Sequence, residues 1–237
     1  MNKAIWDQLY NLTYYFMIYS FIGWFIESSF KSLLYKRPIN SGFLRGPFIP
    51  IYGAGMVMVV YCFSPFKESK LVLFALGFFF ITLLEYSTAF IMEKMFDTRW
   101  WDYTGNLLNI NGKVCIENSL YWGIGTIVML QIVHPFINSF VESIPYTTGK
   151  IMLIMFLVYF FLDLTLSLFE VLELQNKVAI FEKIKDNALV VASTNRVSEV
   201  KKQILGGSAR ILNTYPKLTY LKINRKLRDV VNEIKRK

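Results

Sequence analysis

Five long apolar stretches separated by short polar segments organise most of the chain: Tyr10 to Leu34, Gly46 to Pro65, Leu71 to Met92, Asn118 to Val141 and Ile151 to Phe169. None alternates apolar and polar residues with period two, which argues against barrel strands and for helices. The shortest, Ile151 to Phe169, would be about 28 Å long as a helix, close to the thickness of a bilayer's hydrocarbon core. In lipid the backbone must satisfy its own hydrogen bonds within each segment, and a helix does so. The pattern therefore predicts an all-α, polytopic membrane bundle of about five transmembrane helices over residues 1–174. A cytoplasmic basic helical tail, 175–237, is expected to follow.

Within that tail, Val178, Phe181, Ile184, Ala188 and Val191 recur at helical spacing, as do Leu218, Leu221, Leu227, Val230 and Ile234 beyond Gly206-Gly207. Two amphipathic helices are expected there. Composition fits the membrane placement, with 54% hydrophobic and 18% charged residues. The first apolar run is not followed by a small-residue cleavage pattern and reads as a retained span. Cys62 and Cys115 supply neither a disulfide framework nor a spaced metal site.

Charge adds an orientation. The net charge of +9 is concentrated in the tail, because residues 1–174 are nearly balanced. Among the short loops, Lys31, Lys36, Arg37, Arg45, Lys94, Arg99 and Lys113 fall on one face, and Lys3, Lys67, Lys70 and Lys150 on the other. The positive-inside rule then places the tail in the cytoplasm and the N-terminus outside. A basic tail suits anionic lipid or an acidic partner, and nucleic acid is not expected.

The chain also repeats itself. Residues 42–56 read GFLRGPFIPIYGAGM and residues 112–126 read GKVCIENSLYWGIGT, so Gly42, Tyr52, Gly53 and Gly55 match Gly112, Trp122, Gly123 and Gly125. Upstream, Glu27 matches Glu85 once twelve residues around Arg99 to Ile110 are taken as an insertion. A duplicated helix pair would return to the same side, putting both connecting loops in the cytoplasm. Small residues that merely let helices pack closely would leave a similar trace.

Three acids, Glu27, Glu85 and Asp163, lie within the apolar runs, where a charge costs about 3 kcal/mol on insertion scales. They are expected to face the bundle interior, either as glue between helices or as an acidic site for a cation, an amine headgroup or protons. Lys31, Arg45 and His134 are the available partners. The loop between the third and fourth runs gathers Arg99, Trp100, Trp101, Asp102, Tyr103, Asn106 and Asn111. Such a cluster fits an interfacial aromatic belt or a re-entrant site for a phosphate or headgroup.

Thr147-Thr148-Gly149-Lys150 lacks the leading glycine of a phosphate loop, so any ATP hydrolysis must come from a separate chain. No cofactor or metal is expected: there is one histidine and no nucleophile elbow.

The runs GWFIE (23–27), NSGFLRGPFIPIYG (40–53), LEYSTAFIMEKMFDTRWWDY (84–103) and NINGKVCIENSLYWG (109–123) together resemble a family of bacterial membrane proteins, the putative ABC-transporter type IV family. The resemblance covers about residues 14 to 140 and leaves the fifth span and tail outside. It carries over Glu27, Arg45, Gly46, Pro47, Glu85, Glu93, Arg99, Trp100, Trp101, Asp102, Tyr103, Asn111 and Gly112 as motif positions without fixing their roles. Lys113 stands where arginine is expected, keeping the charge but losing the bidentate fork.

What the resemblance implies is a permease, with a separate ATP-binding subunit, that moves or binds a polar or cationic small solute or a lipid. An intramembrane enzyme acting on lipid headgroups or isoprenoid-linked substrates is the first alternative, with Arg99 binding phosphate and Asp102, Glu85 or Glu27 as base. A scaffold acting through its basic tail is the second. Membrane lipids are expected partners, and oligomer formation stays open.

Overall fold

A computed structural model describes residues 3–96 and 99–186. Five helices account for most of them: α1, Lys3–Tyr35; α2, Pro50–Phe66; α3, Lys70–Phe96; α4, Ile116–Ser143; and α5, Tyr146–Asp186. Among the described residues the fold is all-helical, apart from one antiparallel bridge between Ile110 and Val114. Helix α5 runs without a break through positions 174 and 175, where the tail was expected to begin. The tail beyond Asp186, with most of its two expected amphipathic helices, lies outside the described residues.

Among the described residues, three helices are long and apolar enough to cross a membrane: α3, α4 and the Tyr146–Glu173 portion of α5. Helix α2 is apolar but shorter. Helix α1 has the length but is diluted by tyrosines, and the fold shows why it carries them. Tyr14, Tyr15 and Tyr19 are buried in the core with Val59, Leu73, Ile81, Leu130 and Leu153. Their hydroxyls reach the Gly149 carbonyl, Asn138 and His134 respectively. An amphipathic ring with a satisfied polar end can be buried where a bare polar group could not.

Helix α1 packs chiefly on α2, and α3 chiefly on α4. Both connecting segments fold back into the bundle instead of staying at its end. In the first, the Ile49 amide donates to the Ser20 carbonyl (3.0 Å) and the Ser41 amide to Ser28 Oγ (3.0 Å), so residues 38–49 run back along α1. In the second, Tyr103 reaches Glu85, three turns back from the end of α3. Non-helical backbone at this depth is tolerated only when buried against protein. Gly42 (φ +100°) and Gly112 (φ +69°) turn the two segments in the left-handed region that favours glycine.

The repeat read in the sequence has matching contacts in the fold. A Cβ on Gly53 would meet the ring and carbonyl of Phe16, and one on Gly123 would meet the ring and carbonyl of Phe74. Phe16 and Phe74 are separated by the same interval as Glu27 and Glu85. Ser28 contacts Ser41, and their counterparts Tyr86 and Asn111 are also hydrogen-bonded. Both α2 and α4 widen into a π-type turn, at Val59–Phe63 and Met129–Val133, shortly before Pro65 and Pro135. These paired prolines and their π-turns extend the correspondence beyond the glycine motif.

Candidate functional site

A cavity of about 210 Å³ lies where the two helix pairs meet. Its lining comes from α1 to α4 and includes matched positions of the repeat: Tyr52 and Trp122, Gly55 and Gly125, Val59 and Met129. The Tyr52 and Trp122 rings meet edge to face with centroids 5.9 Å apart. The wall is almost wholly apolar, and Glu85 is its acid.

Glu85 is 5% exposed and takes three donors. Tyr103 Oη (3.1 Å) and Asn118 Nδ2 (2.8 Å) donate to Oε1, and Trp122 Nε1 (2.8 Å) donates to Oε2. Asn118 also donates to Tyr103 Oη at 2.9 Å. Burial, and then the neighbouring Glu85 carboxylate, push the Tyr103 phenol well above its ordinary range, so it stays protonated and donates. The counterpart in the first helix pair is looser. Tyr52 Oη lies 3.4 Å from Glu27 Oε2, and Lys31 pairs with Glu27 Oε1 at 2.6 Å, the partner expected from its one-turn spacing.

Asp163 is not part of this cavity. It is 6% exposed, and its two oxygens accept the backbone amides of Arg45 (3.0 Å) and Gly46 (2.8 Å), with Ser167 Oγ also accepting from Arg45 at 3.1 Å. Arg45 Nε meets Glu170 at 3.0 Å. The first re-entrant segment has no helix to satisfy its amides, and α5 provides the acceptors. Asp163 therefore holds backbone here.

The second re-entrant segment is held by a different network. Glu93 pairs with Lys113 and, at 3.4 Å, with Arg99; Arg99 also lies 3.9 Å from Asp102. Asp102 caps the Thr104 amide (3.0 Å), the Tyr103 amide donates to the Gly112 carbonyl (2.8 Å), and Trp101 donates to the Lys113 carbonyl (2.9 Å). Asn111, with φ +53°, reaches Tyr86, and Asn106 reaches Glu117. Trp100 is buried against Phe43 and Phe96, joining the two segments through an aromatic cluster.

The fold thus divides the sequence candidates among several sites. Glu85 lines the cavity and is held by Tyr103; Glu93, Arg99 and Asp102 form a charged lock; Arg45 and Asp163 form a backbone anchor. Asn118 was missed as a site residue although it lies within the 109–123 run, because it opens an apolar stretch and nothing local shows that it faces Glu85. Tyr52 and Trp122 were visible as repeat positions, but their contact with the acids was not.

The family model described as putative ABC-transporter type IV matches residues 14–168. The chain belongs to that family. The match extends past the expected limit near residue 140 and takes in most of the membrane-crossing part of α5, consistent with the hold of Asp163 on the first segment. Comparison with curated proteins and with solved structures returned no match.

Proposed function

We propose that this family member is the membrane-embedded subunit of a transporter that draws energy from a separate ATP-hydrolysing chain. The cavity between its helix pairs would receive the substrate. The observation that carries this reading is Glu85: a buried carboxylate with three donors on the wall of an otherwise apolar cavity. An interior acid is costly in a membrane protein, and such residues commonly mark solute paths.

In this reading all five helices cross a bacterial plasma membrane. Both re-entrant segments enter the bundle from the cytoplasmic side, where the basic tail lies and the ATPase would dock, and the N-terminus lies outside. Arg99, the residue an enzyme would need for phosphate, is engaged by Glu93 and Asp102. That pairing favours transport over headgroup chemistry.

Gentle purification of the tagged full-length protein from its native membrane, with mass spectrometry of what accompanies it, tests the reading. A stoichiometric ATP-binding chain is the expected result. Recovery without one, after crosslinking in intact membranes, would remove the transporter assignment.

A further inference from the structure

The glycines of α2 and α4 fall into two kinds. At Gly53 and Gly123 an added Cβ would press on Phe16 or Phe74, so helix packing explains glycine there. At Gly125 a Cβ would meet nothing within 4 Å, and at Gly55 it would meet Leu84 and Ile81 at 3.6 and 3.8 Å, ordinary contact distances. Both of these line the cavity, and they occupy matched positions of the repeat. Glycine inside a helix costs about 1 kcal/mol relative to alanine. Packing does not explain that cost at Gly55 and Gly125, but keeping the cavity open does.

What the open space would hold follows from its wall. The three partners of Glu85 all donate, an arrangement set for the ionised carboxylate, and Oε2 accepts from Trp122 alone among them. No lysine or arginine is among the lining residues to balance that charge. Tyr52 and Trp122 add aromatic surface beside the acid, and aromatic faces attract cations. A cavity of about 150 Å³ is enough for benzene, so about 210 Å³ accommodates a slightly larger group.

From these features we infer that the cavity binds an organic ammonium group carrying a short apolar chain. The inference rests on the cavity being the substrate site, as in the transport reading, and it names the substrate class. The ammonium meets Glu85 and the aromatic surface, and the chain fills the space over Gly55 and Gly125. A soluble amine and an amine-bearing lipid headgroup share this chemistry.

The test uses the full-length protein in phosphatidylglycerol nanodiscs, titrated with hexylammonium, hexanol and hexanoate by calorimetry. Hexylammonium should bind at least about tenfold more tightly than hexanol, and hexanoate should bind weakest. Glu85→Gln should abolish the preference for ammonium. Gly125→Leu, whose Cβ meets nothing within 4 Å and whose side chain takes up cavity space, should abolish binding and keeps the test decisive if Glu85→Gln fails to fold. Equal binding of hexanol, or undiminished binding in folded Gly125→Leu, overturns the inference.

Competition by added phosphatidylethanolamine would identify a lipid source, and absence of competition a soluble amine. Ammonium binding without an accompanying ATPase would keep this assignment and remove the transport reading. An ATPase partner without ammonium preference would do the reverse.

Discussion

Trp122 donates its indole N–H to Glu85 across 2.8 Å, joining the third and fourth helices through a buried acid. Tyr52 reaches Glu27 between the first two helices, at 3.4 Å. The two aromatic residues then meet each other, so each helix pair carries an acid–aromatic contact and the contacts converge on one cavity.

Trp122→Phe should keep most of the ring volume but leave Oε2 of Glu85 without this donor. A buried acceptor that loses its partner costs about 1–3 kcal/mol. Thermal unfolding in detergent should show a lower midpoint for Trp122→Phe than for wild type. An unchanged midpoint would mean that the bond contributes nothing to the fold.

Alanine substitutions should separate the two kinds of glycine. Gly123→Ala places a Cβ 2.7 Å from the Phe74 ring and 3.0 Å from its carbonyl, so it should destabilise. Gly125→Ala has open space and should be neutral, or stabilising by up to about 1 kcal/mol. The same unfolding assay checks both, and equal losses would contradict the packing described here.

Asp163→Leu should free the amides of Arg45 and Gly46 from their carboxylate acceptor, at a cost of about 2–3 kcal/mol. The first re-entrant segment should then become accessible to trypsin at Arg45, whereas Asp163→Asn, which keeps one acceptor, should be cut more slowly. Equal protection of wild type and Asp163→Leu would show that the segment is held by other contacts.

Much of this architecture was legible in the sequence. The five helices followed from run length, and Lys31 beside Glu27 followed from the helical interval. The paired glycines pointed to two similar helix pairs. The paths of the two segments were only partly legible: a re-entrant site was one of two readings of the Arg99 to Asn111 loop, whereas Gly46 to Ile49 read as the start of a helix that begins only at Pro50. Their depth is set by distant partners such as Ser20, Glu85 and Asp163. Helical periodicity could place Asp163 inside the bundle, but only the fold could separate a carboxylate that holds backbone from one that faces a cavity.

Tyr103 gives a pH signature. Its phenol is pushed up in the folded protein by burial and by Glu85. Below about pH 10 the folded and unfolded chains both carry this proton; above it, the unfolded chain loses the proton first, so stability falls as pH rises. Unfolding midpoints measured between about pH 8 and 11 should decline less steeply in Tyr103→Phe than in wild type. Parallel declines would rule Tyr103 out as the source.

The Arg45 amide and its Asp163 acceptor are separated by 118 residues of chain. As the protein is made, the first two helices exist well before that acceptor does, and the Arg45 and Gly46 amides must stay with water or a temporary partner until the fifth helix arrives. The first re-entrant turn can therefore take its final place only after the fifth helix has been made, and a chain stopped after α4 would leave it unseated.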